Sequence, residues 1–84
     1  MKNEELISRL KPIVAVYAQN KAALEVLNPE TDFINDLKIN SANLVDVILD
    51  VEEEFDIEID NVSMEKMLTV QASIDIIKIK ILER

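Results

Sequence analysis

The sequence contains no cysteine, no histidine and no glycine. Without Cys there is no disulfide framework and no thiolate metal site. Without His it lacks the commonest general base and metal ligand. A self-contained hydrolase needs an activated nucleophile, and nothing obvious in this chain would activate one. Without Gly, turns must be built from Asn, Asp or Pro. Only three aromatic residues are present, Tyr17, Phe33 and Phe55, so little stacking chemistry is available. Cations are also scarce: 9 Lys and Arg stand against 17 Asp and Glu, a formal net charge of -8. That balance argues against nucleic acid and anionic membranes as partners, because both need positive patches. It favours basic partners met by electrostatic steering. The longest apolar run, Ile13 to Ala18, is far too short to span a bilayer. The first twenty residues carry Glu4, Glu5 and Arg9 and do not read as a signal peptide. The expectation is a soluble, cytoplasmic protein with no membrane insertion, monomeric by default.

With 84 residues, the chain reads as one domain, 1–84. A chain of this size buries only about 60–65% of its unfolded surface, so its core is modest. Residues 3 to about 19 carry Leu6, Leu10, Ile13, Val14 and Tyr17 at helical spacing, with Asn3 a candidate cap. Pro12 implies either a kink in this helix, the reading favoured, or a break near residue 11. Residues 20–40 form a long connection in which Ala22 to Leu27 can make one helical turn before Asn28 and Pro29 stop it. In residues 41–55, Leu44, Val47, Ile48, Val51 and Phe55 fall on one stripe, and Asp46, Asp50 and Glu53 fall opposite. Val45 and Leu49 lie at the edge of the stripe. A short helical turn is expected around Met64 to Leu68, with Ile57, Ile59 and Val62 facing inward. Thr69 then caps a last helix, 70 to about 82. Its β-branched run also suits a strand, but a lone strand has no partner, so helix is favoured. The predicted fold is all-α: a small four-helix bundle with a long loop between helices 1 and 2 and a short third helix. Leu44, Ile48, Val51, Phe55, Ile59, Ile74 and Ile77 are the expected core.

Two features invite a functional reading, and each has a plain structural one beside it. Ser41 heads the 41–55 helix, whose start either Asn40 or Ser41 can cap; the same position leaves the Ser41 hydroxyl open to a modifying enzyme. Positions 46–65 hold nine acids and no Lys or Arg. This is either a solvated face or a docking surface. It lacks the opposite-sign partners at i+4 that a merely stabilised helix carries. The segment "EEEFDIEID" lacks the spacing and turn glycine of an EF-hand loop, so no dedicated metal site is expected.

The order of several short stretches resembles the acyl carrier protein family, from Leu27 to Ile77. Asp36, Leu37 and Ser41 correspond to the family's D-L-G-x-D-S-L; Glu52, Glu53, Glu54 and Phe55 correspond to E-E-E-F. Thr69, Val70, Ile74 and Asp75 open the last helix in register. The resemblance implies that Ser41 accepts 4'-phosphopantetheine from coenzyme A by the action of a phosphopantetheinyl transferase, and that the thiol of this arm holds acyl groups as thioesters. It implies a carrier with no catalytic residues of its own, the chemistry residing in the prosthetic group. The helix N-terminus would favour the phosphate. It implies docking to basic patches on acyl-transferring and synthase enzymes through Asp46, Leu49, Asp50, Glu52 and Glu53. The chain departs from the pattern at Lys38, where the family has glycine, and at Asn40 and Ala42, where it has Asp and Leu. Asp60 stands where proline is common. These departures point to a specialised carrier; the alternatives are a normal carrier with relaxed recognition and an unmodified helical interaction module. A carrier of amino acids or peptides and a small enzyme are more distant rivals.

Overall fold

Five helices are laid out along residues 2–83, the part of the chain described by the computed structural model. Helix α1 is Asn3–Ala15, α2 is Lys21–Glu25, α3 is Leu44–Phe55, α4 is Asn61–Lys66 and α5 is Val70–Glu83. A 3-10 turn, Ser41–Asn43, leads into α3. The all-α bundle expected from the sequence is what forms, with no strand among the described residues and α2 as the helical turn within the long first connection.

Helix α1 buries Leu6, Leu10 and Val14 along one stripe and runs unbroken through Pro12. Pro12 lies on the exposed side, where the carbonyl left without an intrahelical donor can reach water. The helix ends at Ala15 rather than near residue 19, and Asn3 is its first residue rather than its cap. The Asn3 side chain instead accepts a hydrogen bond from Lys78, joining α1 to α5. On α3, Val47, Ile48, Val51 and Phe55 are buried while Leu44 is partly buried, so the predicted stripe faces the core. Ile74 and Ile77 of α5 are fully buried and Ile59 is partly so. Arg9 clamps the end of α3 to α1. Its Nε donates to Glu54 Oε2 at 2.8 Å, a second guanidinium nitrogen donates to the Glu54 carbonyl at 3.0 Å, and the group lies 4.5 Å from the centre of the Phe55 ring.

The long connection is held by tertiary partners. Phe33 N–H donates to the Leu68 carbonyl, Val70 N–H to Thr31, and Gln71 N–H to Pro29, around a single antiparallel bridge between Asp32 and Thr69. Phe33, Leu37 and Ile39 are buried as a result. Without glycine, the two left-handed positions among the described residues are taken by Lys38 (φ 58°) and Asp56 (φ 54°). Asp56 closes α3, and the N–H groups of Asp56 and Ile57 both meet the Glu52 carbonyl. Thr69 caps α5 as expected, its hydroxyl accepting from Ala72 N–H at 3.1 Å.

Helix α4 begins earlier than the sequence suggests because Asp60 caps it, accepting from Ser63 N–H at 3.2 Å and Ser63 Oγ at 2.7 Å. That start turns Val62 outward, 62% exposed, against the expectation that it faces in. Asp60 also pairs with Lys80 of α5 at 3.0 Å. The Lys80 ammonium, followed by the Ser63 donors, holds the Asp60 carboxyl well below its ordinary value of 3.8. A carboxyl depressed by folding contributes stability above its unfolded pKa and loses it as pH falls. Asp60→Asn keeps an oxygen for the cap and removes the charge. Its melting temperature should trail the wild type at neutral pH and converge on it from about pH 5 down to about pH 2. A pH-independent gap would show that the ion pair is not the source.

Candidate prosthetic-group site and acidic face

Ser41 is exposed as the first residue of the 3-10 turn. The capping role falls to Asn40: its Oδ1 accepts from Ala42 N–H at 2.9 Å and its carbonyl accepts from Asn43 N–H at 2.8 Å. The Ser41 hydroxyl makes no hydrogen bond among the described residues, so it is not spent on closing the helix end. The residue behind it, Ala42, presents only a methyl group. The loop before it is pinned by buried Leu37 and Ile39; the Leu37 carbonyl accepts from Gln19 and Asn20 N–H, and Ile39 N–H donates to the Phe33 carbonyl. Asp36 is folded back into that loop, its Oδ2 accepting from Asp32 N–H at 2.7 Å. The hydroxyl is thus exposed at the start of the 3-10 turn, on a backbone held by the Leu37 and Ile39 bonds.

The five acidic-face positions are not equivalent. Asp46 and Glu53 are exposed, and Leu49 is 55% exposed between them. Val45, 51% exposed, extends the same strip; at helical spacing, 45, 46, 49 and 53 share one side. Asp50 is half-buried and accepts from the Tyr17 hydroxyl at 3.1 Å. Burial, then that bond and the Asp50 and Asp46 charges, push the Tyr17 phenol above its ordinary value of 10. Glu52 turns towards the loop after α3 and accepts from Ile59 N–H at 2.7 Å, bracing the turn at Asp56. A shallow depression of about 490 Å³ beside the face is lined by Pro12, Ile13 and Val16 of α1 and by Asp50, Glu53 and Glu54 of α3. Val16 was given no role by the sequence; its exposure follows from α1 ending at Ala15.

No group of three or more Asp and Glu among the described residues is arranged to hold a metal ion. No helix among the described residues is long and apolar enough to cross a membrane. A family model described as the phosphopantetheine attachment site matches residues 13–77, most of the chain, and the protein belongs to that family. Members bind 4'-phosphopantetheine covalently and interact with synthases and transferases as carriers.

Proposed function

We propose that the protein is an acyl carrier whose arm is attached to Ser41, serving fatty-acid, polyketide or related specialised lipid synthesis and catalysing no reaction itself. The observation that carries the reading is the division of labour between Asn40, which caps the 3-10 turn leading into α3, and Ser41, whose hydroxyl is left exposed and unengaged. In attachment, Ser41 Oγ attacks phosphorus in the coenzyme A pyrophosphate. The Oγ–P bond forms as the P–O bond to the adenosine bisphosphate breaks. The hydroxyl proton passes to a base on the transferase, since no side chain of this chain hydrogen-bonds the Ser41 hydroxyl among the described residues. The bound arm supplies a thiol for carrying acyl groups as thioesters, which removes any need for a cysteine in the chain.

The test is intact mass after incubation with coenzyme A and a broad-specificity phosphopantetheinyl transferase. One added phosphopantetheine, absent from Ser41→Ala, supports the carrier. No addition, even with the transferase of the native host, would favour the unmodified interaction module.

Docking belongs on Asp46, Leu49 and Glu53, with Asp50 and Glu52 shaping the face from beneath through their bonds to Tyr17 and Ile59. The charges would steer basic partner surfaces, and Leu49 would supply the apolar contact. Glu53→Lys should slow association with an acyl-transferring partner roughly tenfold at low salt while the melting temperature stays unchanged. Equal rates at low salt, or a lost helix signal, would remove Glu53 from the interface.

A further inference from the structure

Lys38 is the sole basic residue between positions 22 and 65, a stretch with thirteen Asp and Glu. It stands three positions before Ser41 and occupies a left-handed conformation, φ 58°, which disfavours a side chain bearing a Cβ. Buried Leu37 and Ile39 hold the backbone on either side of it, while Lys38 itself is exposed and makes no ion pair among the described residues. A cation is therefore kept at a backbone position that glycine would fill with less strain, three residues ahead of a hydroxyl expected to acquire an anion.

Asn40 acts in the same direction. Aspartate at this position would also cap the turn through one oxygen, and would turn a second anionic oxygen to the surroundings of Ser41. Asparagine keeps the capping oxygen on Ala42 N–H and replaces the other with an NH2 donor. That donor has no partner among the described residues. The nearest acid on the loop side, Asp36, has its Oδ2 on Asp32 N–H. The next acid after the serine is Asp46. Along the chain, one cation and one free amide donor thus precede Ser41, with no acid between Asp36 and Asp46.

We infer that Lys38 and the Asn40 amide form an anion-holding lip that binds the phosphodiester once the arm is attached to Ser41. The inference rests on the carrier reading and deepens it. An acidic domain otherwise repels a new anion. Here the attachment point supplies its own counter-charge, and Lys38 and Asn40 act as positioning residues that fix the base of the arm relative to α3.

The experiment compares apo and loaded protein, with loading verified by intact mass, for the wild type, Lys38→Gln and Asn40→Asp. Lys38→Gln keeps a long polar side chain and the backbone strain but removes the charge. Asn40→Asp keeps the cap and removes the donor. At low salt, loading should raise the wild-type melting temperature by about 3 °C and shift the phosphorus resonance relative to the same arm on the urea-unfolded chain. Lys38→Gln should lose the gain, Asn40→Asp should reverse its sign, and high salt should erase the differences. Equal gains and equal phosphorus shifts in all three loaded proteins would overturn the lip while leaving the carrier intact. Failure of the wild type to load would overturn both.

Discussion

Phe55→Ala should remove about 3–5 kcal/mol of folding stability, the range for emptying a buried aromatic site. A domain of this length holds roughly 4–12 kcal/mol in all, at about 0.05–0.15 kcal/mol per residue. The variant should therefore melt roughly 15–30 °C below the wild type, or fail to fold at all at the lower end of stability. Phe55 is chosen over the other core residues because it joins two kinds of contact. Its ring closes the core at the last turn of α3, and its face supports the Arg9 guanidinium that grips the Glu54 side chain and carbonyl. Truncation leaves a cavity and also removes the surface on which Arg9 rests. The loss should spread along α1 as well as α3, visible as faster hydrogen exchange near both Arg9 and Glu54. Phe55→Leu retains most of the apolar volume and should cost about 1–2 kcal/mol. If both variants melted together, ring contacts with Arg9 would dominate over the cavity. If neither moved the melt by more than a degree or two, Phe55 would not be a core residue.

Legibility in the sequence followed the range of the interactions involved. The buried stripe of α3 was readable because its spacing is a local consequence of helical geometry, and Thr69 was readable as a cap for the same reason. The first connection was readable only in its helical turn, because Phe33 and Val70 find their backbone partners across the chain at Leu68 and Thr31, and nothing local announces such a pairing. The start of α4 was missed because Asp60 looked like one more member of an acidic run. Its capping bonds to Ser63 set the helix start, and with it the outward direction of Val62. The acidic face divides in the same way. Asp46 and Glu53 are exposed by helical phase alone. Asp50 and Glu52 are held by Tyr17 and by the Ile59 N–H, and the second of these requires the left-handed turn at Asp56 that no glycine marks. Ser41 was legible as a helix start, yet its freedom depends on Asn40 taking the cap, a choice between neighbours that spacing leaves open.

Ser73→Ala should raise stability by about 1–3 kcal/mol, moving the melt up by roughly 5–15 °C. Ser73 is fully buried on α5, and its Oγ is the side-chain oxygen found buried without a hydrogen-bond partner among the described residues. Its N–H is satisfied by the Thr69 carbonyl at 3.0 Å, so only the hydroxyl is unmatched. A desolvated hydroxyl without a partner forfeits its bonds to water and gains none inside. Alanine removes that penalty, has higher helix propensity by roughly 0.5 kcal/mol, and takes away one atom, so the void it leaves is small. Ser73→Val separates the polar effect from packing. It also removes the hydroxyl but adds volume to a closed site, and should fall below the alanine variant by about 1–3 kcal/mol. A destabilised alanine variant would mean that the hydroxyl has a bonding role in the core. Repeating the melts on protein loaded at Ser41 then separates fold from cargo. Equal gains in apo and loaded forms would make Ser73 a polar cost carried by the bundle alone. A gain confined to the apo form would mean that the buried hydroxyl finds its partner only after loading.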